Sequence, residues 1–196
     1  EAANALAKPV VVDPVGVGTS PLRRDTLAEL LATRQISCIR GNISEIKALA
    51  GLSTDAGGVD ASEADLADPA AFALAARMAR ELAAAHNTVI AISGPRDIIS
   101  DGHTTYVVNG GNAMMTRVTG SGCTLTGIVA AFAAAAPEDI LRAATAAIGL
   151  MCLAGDQALE KTGHHATASF HTAMFDALSA ITPEDLADTL RLEQLN

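Results

Sequence analysis

Short apolar runs alternate with longer amphipathic stretches along the first half of the chain. Three of these runs predict strands, at 8–12, 36–39 and 88–92. The β-branched run at 8–12 is typical of a strand that is buried on both faces. The stretches between them predict one helix that Ser20 caps and Pro21 begins, and another that Asn42 caps and that runs to Ala50. Apolar residues at helical spacing predict a longer helix over 69–86.

The second half of the chain begins with a hairpin pattern and continues with helical patterns. Two short strands at 97–100 and 104–108 flank the turn sequence "DGH" and predict an antiparallel hairpin at a sheet edge. Only helices are predicted after this hairpin: 121–136, 137–161, 166–180 and 183–192. Turn-forming residues fill 51–65. Strands alternating with helices predict an α/β fold with a mostly parallel sheet, whose ligands bind beyond the carboxyl ends of the strands.

Composition limits the class of protein. With 196 residues and 49% hydrophobic content, we expect a single domain over residues 1–196. The net charge of −9 and the absence of Lys/Arg runs argue against nucleic acid or an anionic membrane as a partner. The most apolar stretches, 125–136 and 143–154, are shorter than a membrane span. Three cysteines without metal-binding spacing indicate neither a disulfide framework nor a zinc site, and favour a reducing cytoplasm.

The segment "TGSGC", residues 119–123, places glycines at 120 and 122 where a long apolar helix begins. The free N–H groups of a helix N-terminus form an anion site, so Gly120, Ser121 and Gly122 are candidates for stabilising a phosphoryl group in transfer. Cys123 lies in the first turn, which favours a reactive thiolate. The alternatives are a glycine-rich entry to a core helix and a structural cysteine. The segment matches neither G-x-G-x-x-G nor the P-loop.

Other candidates follow the predicted strands. Asp13 and Glu45 are placed to hold Mg²⁺ at neighbouring strand ends, although Asp13 can also start a turn and Glu45 can complete a capping box with Asn42. Arg40 can pair with a nucleotide phosphate or be a solvated strand end. Ser93 and Gly94 can contact nucleotide phosphates or form a plain strand exit. Three histidines have no neighbours that indicate a role: His103, His164 and His165. Cys38 and Cys152 are predicted core residues.

Taken together, these segments carry a family resemblance. "VVDPVGVG" at 11–18, "RGNISEI" at 40–46, "GGVDA" at 57–61, "ISDG" at 99–102 and "VTGSGC" at 118–123 occur in this order. The ordered set resembles hydroxyethylthiazole kinase of thiamine biosynthesis, within the ribokinase-like superfamily. The cysteine after the glycines is the most specific part, because that superfamily usually has an aspartate there.

The resemblance implies a ribokinase-like α/β/α fold and transfer of the ATP γ-phosphate to the primary hydroxyl of 4-methyl-5-(2-hydroxyethyl)thiazole. It implies that Cys123 lies beside this hydroxyl as base or orienting group and that Gly120 contacts the substrate. Arg40 and Ser93 would bind ATP, and Asp13 with Glu45 would support Mg²⁺. It further implies a homotrimer with active sites between subunits. Family members usually have an additional N-terminal segment with a substrate-contacting methionine, so we expect either that the given sequence omits this segment or that the chain is incomplete and inactive alone.

One further departure from the family is local, and three alternative functions are compatible with the sequence. Pro95 and Arg96 stand where the family would have a more acidic or smaller stretch. The alternatives are another small-alcohol kinase of the hydroxymethylpyrimidine type, an ATP-dependent dehydratase acting on hydrated nicotinamide cofactors, and a nucleotide-binding or assembly module without turnover. Cysteine at position 123 argues against both enzyme alternatives.

Overall fold

A computed structural model describes residues 1–51 and 68–195 of the chain. The predicted loop at 51–65 therefore lies almost entirely outside the described residues, as does the "GGVDA" motif at 57–61.

One sheet organises the described residues. Its strands are β1 (Val11–Val12), β2 (Cys38–Asn42), β3 (Val89–Ser93), β4 (Arg96–Ser100), β5 (Thr105–Asn109) and β6 (Arg191–Leu195), in the spatial order β1-β2-β3-β4-β5-β6. The pairings β1–β2 and β2–β3 are parallel, whereas β3–β4, β4–β5 and β5–β6 are antiparallel. The α/β class is confirmed, and the described sheet is mixed where we predicted a mostly parallel one.

Helices cover both faces of this sheet. They are α1 (Ala2–Ala5), α2 (Pro21–Thr33), α3 (Ile43–Leu49), α4 (Pro69–His86), α5 (Ser121–Ala135), α6 (Ile140–Thr162), α7 (Thr167–Ala180) and α8 (Pro183–Thr189), with a 3₁₀ helix at Ala113–Arg117. The predicted caps are confirmed: Ser20 accepts a hydrogen bond from the Arg23 N–H, and Asn42 accepts one from the Glu45 N–H. Pro21 and Pro69 occupy the first turns of their helices, where no backbone donor is needed.

Two hydrophobic layers follow from the alternation of side chains along the strands. Cys38, Ala91 and Val108 belong to the cluster that α5, α6 and α7 complete. Their neighbours Ile39, Ile90 and Val107 belong to the cluster on the opposite face, with α3 and α4. The buried isoleucines each stabilise the fold by roughly 2 kcal/mol. The arrangement is the three-layer α/β/α architecture that the family resemblance implied.

The predicted helix at 183–192 is wrong in its last part. Helix α8 ends at Thr189, and Arg191–Leu195 forms β6, which pairs with β5 in antiparallel register. The hairpin of β4 and β5 is consequently not at the edge of the described sheet. Residues 191–195 have a weak strand propensity of their own. They form a strand because their backbone groups pair with the free N–H and C=O groups of β5.

Other boundaries differ by a few residues. The strand predicted at 36–39 extends instead from Cys38 to Asn42. Only Val11–Val12 of the predicted 8–12 run is strand, and both residues are half-buried. Helix α4 has the predicted bounds, but it buries Phe72 while Leu74 is 41% exposed. The buried face therefore carries Phe72 and Met78 among alanines, and Leu74 lies outside it.

Candidate active site

The carboxyl ends of β2 and β3 open onto a cleft of about 390 Å³. The 3₁₀ helix, the first turn of α5 and the middle of α6 form its other walls. Its polar lining residues are Arg40, Asn42, Ser93, Asp97, Asn112, Thr116 and Ser121. The cleft lies where α/β sheets bind their ligands.

Arg40 is the positive charge of this cleft. It lies inside β2 and is 8% exposed, so the alternative of a solvated strand end is wrong. Its Nη2 donates to Ser93 Oγ at 2.6 Å, and Nη1 lies 3.7 Å from Asp13 Oδ2. Its Nε is buried without an acceptor among the described residues. Because a buried, unpaired donor destabilises a protein, this guanidinium has the properties expected of an anion-binding group.

Asp13 is held from two directions. It directly follows β1, and its Oδ2 accepts a hydrogen bond from Thr126 Oγ1 at 2.7 Å in addition to its ion pair with Arg40. Thr126 lies one turn beyond Cys123 on α5. The first strand end and the beginning of α5 are therefore linked through one carboxylate.

Glu45 accepts hydrogen bonds from two backbone N–H groups. Oε2 accepts from Asn42 N at 2.9 Å, which completes the capping box of α3, and Oε1 accepts from Gly16 N at 3.2 Å. Burial raises the pKa of Glu45, the two backbone donors oppose this, and the nearby Asp13 charge adds to it. The capping-box interpretation is confirmed, and Glu45 also fixes the loop that follows Asp13.

The start of α5 leaves backbone donors exposed. Gly120 precedes the helix with a φ of +87°, a left-handed conformation that other residues rarely adopt, and no side chain caps the helix. The N–H groups of Gly122 and Cys123 have no acceptor among the described residues. A Cβ added to Gly122 would lie 3.0 Å from Arg40 Nη1. Helix N-terminus and guanidinium thus face the same small volume.

Cys123 is an exposed free thiol in the first turn of α5. It and Gly120 lie at the rim, outside the residues that line the cleft, whereas Ser121 and Gly122 line it. Cys38 is fully buried in the core as predicted, and burial raises its pKa to about 12. Cys152 is also buried in the core, but it lines the cleft as well.

Sequence reasoning missed Asp97 as a site residue. Its side chain is buried at the cleft, where Oδ1 accepts from Gly94 N at 3.0 Å and Oδ2 accepts from Cys152 Sγ at 3.3 Å. Burial raises the pKa of Asp97 from its ordinary 3.8 to about 6, although its two hydrogen bonds and Arg40 favour the charged form. The signal available in the sequence was a carboxylate directly after a strand-to-strand turn.

The raised pKa of Asp97 predicts a pH-dependent stability. The folded protein binds the Asp97 proton more tightly than the unfolded chain does. The protonated side chain therefore contributes stability that is fully present below pH 3.8 and is lost as the pH rises through about 6. The loss amounts to roughly 3 kcal/mol. We expect Asp97→Asn to lack this dependence, so urea unfolding should show the variant gaining most of this amount relative to the native protein between pH 4 and pH 7. A difference that stays constant over this range would contradict the assignment.

The loop before the 3₁₀ helix was also missed. Asn112 Nδ2 donates to Gly155 O at 2.8 Å, and Gly111 N donates to Asp156 Oδ2 at 3.3 Å, so α6 fixes the loop against the cleft.

The predicted absence of histidine roles stays a prediction. His103 lies in the exposed turn between β4 and β5.

The sequence is similar to one family of known proteins over most of its length. The sequence profile described as "Hydroxyethylthiazole kinase family" matches residues 1–184. The chain belongs to the hydroxyethylthiazole kinase family. The family resemblance of the ordered motifs is thereby confirmed.

Relatives extend this finding. The hydroxyethylthiazole kinase of Ruminiclostridium cellulolyticum is 38% identical over 98% of this chain and 69% of its own length. That of Roseiflexus sp. is 43% identical over 97% of this chain and 67% of its own length. The solved structure of the hydroxyethylthiazole kinase of Pyrococcus horikoshii OT3 superimposes with a TM-score of 0.83 and 30% identity, over 99% of this chain and 68% of that one. The chain therefore spans about two thirds of the length of these relatives.

Among residues 1–51 and 68–195, no helix is long and apolar enough to cross a membrane. No group of three or more His, Cys, Asp or Glu side chains in these residues is arranged to hold a metal ion.

Proposed function

We propose that this protein transfers the γ-phosphoryl group of ATP to the primary hydroxyl of 4-methyl-5-(2-hydroxyethyl)thiazole. Family membership supports the reaction, and one observation in the site carries it. The buried Arg40 guanidinium, with its Nε unpaired among the described residues, faces the uncapped N-terminus of α5. Both supply positive potential to one small volume, which is what a phosphoryl group needs in transfer.

The residues take the following roles in this proposal. Arg40, Ser93 and Gly94 bind ATP, and the backbone amides at the start of α5 stabilise the transferred phosphoryl group. Gly120, where an added Cβ would have no neighbour within 4 Å, contacts the thiazole substrate. Cys123 lies beside the hydroxyl as base or orienting group. Since phosphoryl transfer has a loose transition state, positioning and charge contribute more than proton removal does.

Mg²⁺ fits the carboxylates present. Protein Mg²⁺ sites use one or two carboxylates, with waters and substrate phosphates as the remaining ligands, so a larger cluster of acidic side chains is not required. Asp13 and Glu45 are close enough for the Asp13 charge to raise the pKa of Glu45. We propose Asp13 as the principal ligand and Glu45 as its support, because both Glu45 oxygens already accept backbone hydrogen bonds. The ion would neutralise the charge of the phosphates.

The role of Cys123 leads to a prediction. We expect Cys123→Asp to retain kinase activity within about tenfold, because a carboxylate at the same exposed first turn can orient or accept from the hydroxyl. ADP release with the thiazole alcohol measures it. Cys38→Ser, a buried thiol in the core on β2, is the matched control for cysteine loss. Complete loss of turnover in a folded Cys123→Asp protein would contradict this role.

A substrate panel tests the function itself. ADP release should depend on the thiazole alcohol and remain at background with hydroxymethylpyrimidine, while hydrated NADH should not be dehydrated. Mg-ATP binding without ADP formation on any alcohol would favour the non-enzymatic module. No finding in the comparisons favours these alternatives.

Assembly and location complete the proposal. We infer a homotrimer with active sites between subunits, as the family resemblance implies, and sedimentation equilibrium measures its mass. The described cysteines are all free thiols, which supports a reducing, cytoplasmic location.

A further inference from the structure

The turn between β3 and β4 is held from beneath by one side chain. Ser93 ends β3, Gly94 and Pro95 make the turn, and all three line the cleft. The Gly94 N–H donates to Asp97 Oδ1 at 3.0 Å, so Asp97 fixes the turn from the first residues of β4. Ser93 in turn accepts from Arg40 Nη2. The position of Ser93 and the guanidinium therefore depends on this turn.

The same carboxylate also joins the turn to α6. Cys152 Sγ donates to Asp97 Oδ2 at 3.3 Å, and Cys152 belongs to the core cluster that α6 completes. Asp97 thus links the turn at the carboxyl end of β3 to α6, which packs in one of the two hydrophobic layers. A turn tied to two elements is held in a single shape.

A carboxylate at this buried position lowers the stability of the fold, which a purely structural bridge would not require. Asp97 is 6% exposed, and its burial raises its pKa to about 6. Arg40 on β2 and Cys152 on α6 are the titratable groups that act on Asp97, and Asp156 on α6 acts in turn on Cys152. An asparagine would accept the Gly94 hydrogen bond without burying a charge. Groups retained against stability are typical of functional sites.

We propose that Asp97 is a positioning residue for the nucleotide: through Gly94 and Cys152 it holds the Ser93–Pro95 turn in the shape that receives ATP. This inference rests on the proposed kinase function and deepens it. Asp97 acts through the turn and through Arg40, and it makes no contact with the acceptor alcohol in this proposal. Its loss should therefore weaken nucleotide binding selectively.

Asp97→Ala and Asp97→Asn distinguish a positioning role for ATP from a purely structural role. Asp97→Ala removes the acceptor, and we expect the Kd of Mg-ATP by calorimetry and the KM for ATP to rise about tenfold, as one lost buried hydrogen bond predicts. The KM for the thiazole alcohol and kcat at saturating ATP should change by less than about threefold. Asp97→Asn retains the acceptor for Gly94 but loses the second acceptor oxygen and the charge near Arg40, so it should restore only part of the ATP affinity. Asp101→Asn is the matched control, because Asp101 accepts from two backbone N–H groups in the turn at the far end of β4.

A variant of Cys152 tests the same role in a protein that keeps Asp97. Cys152→Ala removes the S–H donor while keeping Asp97, and we expect its KM for ATP to rise about threefold, an effect smaller than that of a lost backbone hydrogen bond. Equal Mg-ATP affinity in the native protein, Asp97→Ala and Cys152→Ala would overturn the proposal. So would a uniform loss affecting both substrates and kcat, which marks a structural role. Failure of the native protein to phosphorylate the thiazole alcohol would instead reject the proposed function, since calorimetry still reports the ATP site.

Discussion

Gly122→Val should reduce kcat/KM for the thiazole alcohol by about a thousandfold or more. A Cβ at this position lies 3.0 Å from Arg40 Nη1, and the branched methyl groups of valine would fill the volume between the guanidinium and the amides that begin α5. The proposed phosphoryl site would then be blocked, and Arg40 would be displaced. ADP release measures the loss, while circular dichroism checks that the fold is intact.

Gly127→Ala is the control for this variant. Gly127 lies on the same helix, and nothing is within 4 Å of a Cβ added there. We expect unchanged turnover and a gain of about 1 kcal/mol in the free energy of unfolding, since alanine favours the helix. Normal turnover in Gly122→Val would show that the phosphoryl group binds elsewhere.

Arg40→Gln should raise the KM for ATP by about a hundredfold, the effect expected from losing a charge-assisted hydrogen bond to phosphate. Glutamine keeps a polar group near Ser93 but removes the charge that pairs with Asp13. Steady-state kinetics with ATP varied at saturating thiazole alcohol measures the change. Asp13 would also lose its cation, so some loss of stability should accompany it.

Arg96→Gln is the matched control for Arg40→Gln. Arg96 begins β4 near the same rim, but it packs over the Phe72 ring on the other face and pairs with Asn109 and Glu193. We expect its KM for ATP to change by less than about threefold, because it does not line the cleft. Similar increases in both variants would mean that general charge, and not the placement of Arg40, controls nucleotide binding.

Much of the fold was predictable because it depends on local chemistry. Ser20, Asn42 and the first-turn prolines mark helix starts, and α4 has the predicted bounds. The strand β6 was not predictable, since "RLEQL" has no strong strand pattern and is ordered by its partner β5. Helix α4 shows the same limit, because apolar spacing predicted the helix, whereas packing on the sheet determined that Phe72 is buried and Leu74 is exposed.

The candidate site divides in the same way. Residue type and position relative to strand ends identified Asp13, Arg40, Glu45, Ser93 and the start of α5, which the fold brings to one end of the sheet. The pairing of Asp97 with Cys152 had no pattern in the sequence, because the two residues are separated by 55 positions and interact only once α6 packs on the sheet.

The sequence by itself determined the helix caps, the approximate positions of the first three strands and the ordered motifs of the family, because each of these depends on a few adjacent residues. Only the tertiary structure decided that Arg40 is buried with an unpaired donor, that Glu45 fixes a second loop, and that a buried carboxylate supports the turn at Gly94. The physical reason is that burial, and with it the pKa and the demand for hydrogen-bond partners, is a property of packing between distant segments.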